Sequence, residues 1–207
     1  VNFPLYYPID TNNIGSDRRS LYDVLVRAIK DGEIEDVYTD SYFTEKRTLD
    51  DISASLVYRD TTDLGIEQYN AEGFVDREYI REFTLDAGDI EEWRIRGYWY
   101  VDKRQGELKY RLLGIAPVTV SVKSRLPTYP VSTEKLLFPL FWVWFPDARE
   151  SLNSSYVFNV KNSSQPITFD HMLNSRRFNS IIYKEENIYQ DRKIEDYIYD
   201  DALKQLL

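Results

Sequence analysis

The chain has 207 residues, a formal net charge of −9, 43% hydrophobic and 29% charged residues, and no cysteine. That length suits one domain with a substantial core, and the composition argues against wholesale disorder. The acidic balance repels a phosphate backbone, so nucleic acid is not an expected partner. Without cysteine there is no disulfide or thiolate metal site, and one histidine rules out a multi-His metal site within a single chain.

No segment approaches the roughly 18 consecutive apolar residues of a membrane-spanning helix. The sequence begins at Val1 without a basic-then-apolar leader, which points to a processed or trimmed product. Tyrosines (17) outnumber phenylalanines (10) and tryptophans (4). That excess fits a β-rich core, and it also fits half-exposed contact surfaces, since tyrosine joins a flat apolar body to a polar tip.

In chain order, Phe3-Pro4-Leu5-Tyr6-Tyr7-Pro8 is apolar but cut by two prolines, which predicts an extended segment laid against the body. Ser16 or Asp17 offers a helix cap. Leu21, Val24, Leu25, Ala28 and Ile29 follow at helical spacing, and Gly32 stops that helix. Thr48 with Asp51 three residues on marks a second start, with Leu49, Ile52 and Leu56 along one side. Residues 59–88 mix charges with Gly65, Gly73 and Gly88 and predict no regular element; they read as a mobile or inserted region.

From Glu91 the period changes. Trp93, Ile95, Trp99 and Val101 alternate with Arg94, Arg96, Tyr98 and Tyr100, which predicts a strand with one dry and one amphipathic face. The turn Asp102–Gly106 leads to a partner strand carrying Leu108, Tyr110 and Leu112, a β-hairpin. Val118, Val120 and Val122 then alternate in a third strand or a bent continuation, with Pro117 at an edge or bulge because it cannot donate to a ladder. Ser124–Glu134 reads as loop.

Leu137–Pro146 is the most hydrophobic run, uncharged, with aromatics on both alternating faces. It predicts one strand covered on both sides, with a short helix from Asp147 to Leu152 behind it. Trp142→Ala or Trp144→Ala is therefore expected to destabilise the fold. Beyond it, Val157–Val160 is strand-like, Asn162–Pro166 is a turn cluster, and Thr168 caps a helix bearing Phe169, Met172 and Leu173. Ile194 to Leu207 reads as a last helix.

Chemistry-bearing motifs are missing. There is no glycine-rich phosphate loop, nucleophile elbow, His-Glu-x-x-His pair or calcium loop. His171 lies in a short helix without companions and reads as a surface or packing residue. The pairs Asp50-Asp51, Glu91-Glu92 and Asp200-Asp201 read as solvated faces or helix starts, not a glycosidase dyad. Arg176-Arg177 follows a helix and fits its dipole; it would equally suit a salt-bridge contact to an acidic partner. Aromatics beside carboxylates leave a glycan- or peptidoglycan-binding module as an alternative.

Several ordered blocks resemble the GldN/PorN family of gliding-motility and secretion proteins. They are Pro4–Pro8, Asp17–Leu21, Leu113–Val118, Leu137–Arg149, Arg176–Ser180, Ile182–Asn187 and Ile194–Tyr197. The resemblance covers most of the chain and is weakest across 59–88. It implies a non-enzymatic, periplasmic ring component of the type IX secretion system of Bacteroidetes, with no catalytic or cofactor residues to carry over. It also implies partners: a GldK/PorK-like outer-membrane lipoprotein, a GldM/PorM-like periplasmic motor segment, and further copies of the chain.

Longer ends in the family make this chain a core fragment by that comparison. The fold expected over 1–207 is a single α+β domain, a twisted antiparallel sheet packed with several short helices. A ring requires heterologous contacts, and Tyr98, Tyr100, Arg176, Arg177, Tyr183 and Tyr189 are the candidate interface residues.

Overall fold

A computed structural model of the chain describes residues 2–9, 18–120, 137–157, 165–188, 192–196 and 198. It opens with a single helical turn, α1 (Phe3–Tyr6), followed by α2 (Leu21–Lys30), β1 (Val37–Tyr38), β2 (Lys46–Arg47) and α3 (Leu49–Leu56). Then come β3 (Val57–Thr61), α4 (Asp63–Glu72), β4 (Ile80–Thr84) and two long strands, β5 (Ile90–Asp102) and β6 (Glu107–Val120). The remainder is β7 (Leu137–Pro139), β8 (Trp142–Trp144), α5 (Phe145–Ser154), β9 (Tyr156–Val157), β10 (Ile167–Thr168) and α6 (Phe169–Asn174).

The class is α+β. The main sheet is antiparallel in the order β2-β1-β8-β6-β5, and β7 also pairs with β6, on the same side as β8. Helices α5 and α6 pack on each other and on β6, covering one face of this sheet, and α2 packs on α5. Two small antiparallel pairs, β3–β4 and β9–β10, stand apart from it.

Helices α2, α3 and α6 form where the sequence predicts them. Leu21, Val24, Leu25, Ala28 and Ile29 are buried on α2, and Glu33 and Ile34 donate their N–H groups back to the Ala28 carbonyl as the chain turns through Gly32 at φ 77°. Its cap is Ser20, whose hydroxyl accepts from the Asp23 N–H at 3.2 Å, and not the earlier Ser16 or Asp17, which lie outside the described residues. Thr48 and Asp51 close a reciprocal capping box on α3, and Thr168 caps α6.

Phe3–Tyr6 is helical where an extended segment was expected: Pro4 sits in the first turn, where its missing N–H has no role and its fixed φ suits a helix. Residues 57–84 form a β–α–β excursion, with α4 capped by Thr62 and stopped by Gly73 at φ 78°, where no element was expected. At the C-terminus, Ile194–Asp196 is a 3-10 turn; the residues of the expected helix beyond Ile198 lie outside the described set, as does Ser124–Glu134.

The apolar run at 137–146 is a strand broken in two. Pro139 pairs with Val118 and Val143 with Ile115, so three residues of the run oppose two of β6. Such a bulge turns side chains that would alternate toward one side. Leu140 and Phe141 both enter the helix-covered core, with Phe141 fully buried. The ladder groups are still satisfied: Leu140 donates its N–H to the Pro117 carbonyl at 2.9 Å, and its own carbonyl accepts from Arg47 Nη1 at 2.6 Å.

Of the two expected places, edge or bulge, Pro117 takes the second: it lies in the central strand, opposite the bulge. Its nitrogen faces the gap between β7 and β8, where no ladder donor is required. The helix behind the run starts at Phe145, two residues before the expected Asp147, with Pro146 in its first turn.

β6 carries a second irregularity. Arg96 pairs with Gly114 but Gly97 with Leu112, leaving Leu113 as the extra residue. Leu108, Tyr110 and Leu112 therefore share a face with Ile115, while Gly114, Ala116 and Val118 point the other way. Both sides of this half of β6 are dry: Ile115 is buried against the helices, and Ala116 and Val118 are fully buried on the opposite face.

On that opposite face Phe43, at φ 60°, lies over Gly114, where a Cβ would overlap its ring. Phe43 meets Tyr38, Trp142 and Trp144 edge-on at centroid distances of 5.3, 6.5 and 4.8 Å. Each such pair contributes about 0.5–1.5 kcal/mol beyond burial.

The two tryptophans of the run are consequently unequal. Trp142 is 3% exposed and Trp144 half-buried. Trp142→Ala should cost about 3–5 kcal/mol, and Trp144→Ala about 1–2 kcal/mol, in urea unfolding followed by far-ultraviolet circular dichroism. Gly114→Ala should cost about 1–3 kcal/mol through overpacking against Phe43. That penalty should shrink in the background of Phe43→Ala, whereas an additive pair would mean the two positions do not touch.

Candidate functional site

The most prominent surface feature is the β5–β6 hairpin. A 13-residue strand spans on the order of 40 Å, whereas a ten-residue helix such as α5 spans roughly 15 Å. The helices cover the base of the hairpin and leave its end bare. Trp93 and Ile95 pack on the core, but on the same face Trp99 is 49%, Val101 64% and Leu108 61% exposed. The face expected to be dry along its whole length is dry only over its first half.

Two contacts hold this open end. Tyr110 lies across Gly97, where a Cβ would overlap its ring and the Arg111 carbonyl, and stacks obliquely on Trp99 at 5.2 Å. Burial pushes the Tyr110 hydroxyl above its ordinary pKa. At the turn, Lys109 Nζ bonds Asp102 Oδ2 at 2.9 Å and also reaches Gln105 Oε1, and Gly106 adopts φ 68°. The Lys109 contact, with N–H donors from Arg104 and Gln105, holds the Asp102 carboxyl below its usual range.

The residues nominated from the sequence fall into two groups on opposite faces. Tyr98 and Tyr100 are exposed neighbours, 5.9 Å between centroids, on the face away from the helices. Tyr183 joins that face beneath Arg94, whose guanidinium carbon is 5.3 Å from the ring centroid. Arg176 lies on the other side, its guanidinium 5.2 Å from the Trp99 centroid.

Arg176 follows α6 at φ 52°, in the left-handed region, and the next N–H, of Arg177, reaches back to the Met172 carbonyl at 3.0 Å. Glycine usually occupies that position. The Arg177 side chain is exposed, and Tyr189 lies outside the described residues. Trp99, Val101 and Leu108 were not nominated. The available signal was the length of the alternation, which outruns any helix able to cover it.

The face bearing Arg94 and Arg96 is partly dressed by two segments. One is the loop between β1 and β2. The Asp40 carboxylate accepts backbone N–H groups of Tyr42 at 3.0 Å, Thr44 at 3.0 Å and Glu45 at 3.2 Å, presenting Phe43 to Gly114 and Tyr42 to Arg96. The Arg96 guanidinium lies 3.9 Å from the Tyr42 centroid and bonds Glu186 at 3.1 Å. In the second, Tyr183 and Lys184 meet Lys193 and Ile194 through an antiparallel Lys184–Lys193 bridge and an Ile194-to-Tyr183 backbone bond, with Ile194 buried.

Among the described residues no group of three or more His, Cys, Asp or Glu converges as a metal site would require, and no helix is long and apolar enough to cross a membrane. His171 is exposed, as expected, and Asp51 serves as a helix cap. What the surface displays is a long arm with uncovered rings and cations. The model of the family described as gliding motility associated protein GldN matches residues 1–207, and the chain belongs to that family. No curated protein matches it.

Desolvation raises the Asp40 pKa, but the hydrogen bonds from Glu45 and Thr44 outweigh it and the value lies below the ordinary 3.8. A carboxyl lowered in the folded state stabilises it fully above the ordinary value and loses that contribution as pH falls through the folded one. Amide exchange at Thr39–Glu45 should therefore accelerate only below the usual carboxylate range. Asp40→Ala should bring the fast exchange to neutral pH; unchanged protection in that variant would mean the loop is ordered without the carboxylate.

Proposed function

We propose that the chain is a non-enzymatic structural subunit of a periplasmic ring in the type IX secretion and gliding machinery, and that it binds an outer-membrane GldK/PorK-like lipoprotein. A GldM/PorM-like motor segment and neighbouring copies are its other proposed partners. The family match along the whole chain carries this reading. It is supported by the open half of the β5–β6 hairpin, an arm whose exposed rings exceed what folding uses.

A glycan- or peptidoglycan-binding module is the competing reading. Strand alternation separates Trp99 from Tyr98 and Tyr100, so these three rings do not make one flat platform for a pyranose chain.

Co-purification with the lipoprotein, followed by native mass measurement and electron microscopy, tests the proposal. A stoichiometric complex that assembles into closed rings is expected. A protein that stays monomeric and ignores the lipoprotein while binding peptidoglycan would replace this reading with the competing one. Trp99→Ala should leave stability within about 1 kcal/mol while weakening assembly.

A further inference from the structure

A second uncovered apolar region lies on the excursion at 57–84. Leu64, Ile66 and Tyr69 on α4 are exposed, Leu64 by 62%, and Phe74 beyond it is exposed as well. Among the α4 residues Gly65 alone is buried, against Thr61, Val75 and Tyr79, so the helix rests on its own ribbon by one narrow contact. A helix exposing this many large apolar side chains needs a cover.

The two regions have opposite charge. Segment 57–84 holds seven Asp and Glu against three Arg, whereas 98–111 holds four Lys and Arg against two Asp and Glu. Asp60 at the end of β3 and Asp63 and Glu67, which helical spacing puts beside Leu64, have no ion-pair partner among the described residues. Lys103 and Arg104 in the hairpin turn likewise have none, and Arg176 adds a further cation over Trp99; Arg111 lies on the opposite face, paired with Tyr98.

The chain path also sets them apart. The near end of the β3–β4 ribbon feeds β5 at Ile90, and α4 joins its far end. The hairpin turn lies on the order of 40 Å along β5 from Ile90.

We propose that the open end of the hairpin of one copy docks on α4 of a second copy. Trp99, Val101 and Leu108 lie against Leu64, and the free cations meet Asp60, Asp63 and Glu67 on the same side of α4. Like regions of two copies repel, so pairing is head-to-tail and each copy keeps one free donor and one free acceptor surface. This assigns the surfaces for the self-association contained in the proposed function, and it rests on that reading.

The absence of native cysteine allows a clean test by disulfide trapping, with the lipoprotein partner absent and present. Val101→Cys and Leu64→Cys chains, mixed and oxidised, should give a product of twice the 24.6 kDa chain mass that neither gives alone. Both substitutions on one chain should give a ladder or closed rings. Lys103→Glu with Arg104→Glu should weaken association by about tenfold or more, and Asp63→Lys with Glu67→Lys on the other copy should restore it.

Circular dichroism and the urea midpoint check that each variant folds. Self-association by mass without the 101–64 product would overturn this pairing and leave the ring reading standing. So would a product from either single variant alone, or trapping of Val101→Cys on the lipoprotein. A chain monomeric in all conditions, with the lipoprotein as well as without it, would overturn both.

Discussion

The structure depends on burying one half of β6 on both faces at once. A strand with helices on one side, as β6 has, can leave its other side to solvent. From Gly114 to Val120 it cannot, because Ala116 and Val118 have no exposure left. Helices α5 and α6 supply one cover, and on the other face the Phe43 loop lies over Gly114 while Tyr183 lies against Arg94. The apolar run at 137–146 then fills the edge, its bulge directing Leu140 and Phe141 into the helix-covered core while Trp142 and Trp144 stay with Phe43.

Close approach on the two faces uses the same device. Gly97 and Gly114 each sit under an aromatic ring, Tyr110 on one side of the sheet and Phe43 on the other. A glycine weakens a strand by leaving nothing to pack, and a neighbouring ring laid over it recovers the contact. The ion pairs near these sites contribute much less. Arg96–Glu186 has a carboxylate three-quarters exposed, and pairs of that kind contribute about 0–1 kcal/mol. Apolar and aromatic contact therefore sets the fold.

Much of this was legible in the residues. Helical spacing located α2, the Thr48–Asp51 and Thr168 caps located two more starts, and alternation located the hairpin, because each is a local signal. The bulges were not legible. One extra residue at Leu113 places Leu108 and Val118 on opposite faces although both are even-numbered. The excess around Leu140 breaks what reads as one strand, and neither shift leaves a mark in composition. The exposure of Trp99 and Val101 was misjudged for a related reason: alternation says which residues share a face, not how far the covering layer reaches. The excursion at 57–84 hid because α4 is nearly as apolar on one side as on another, so no periodicity separates its faces.

The continuity of β6 has a mechanical side. One 14-residue strand runs from the open turn at Glu107 into the centre of the sheet. A pull on the turn along the strand axis reaches the core as shear across the bonds to β7 and β8, which carry the load together. A pull across that axis would open the hairpin pairs one after another. The arm is therefore stiff along its length and yielding sideways, and the direction of force between joined copies would decide which of the two behaviours the assembly shows.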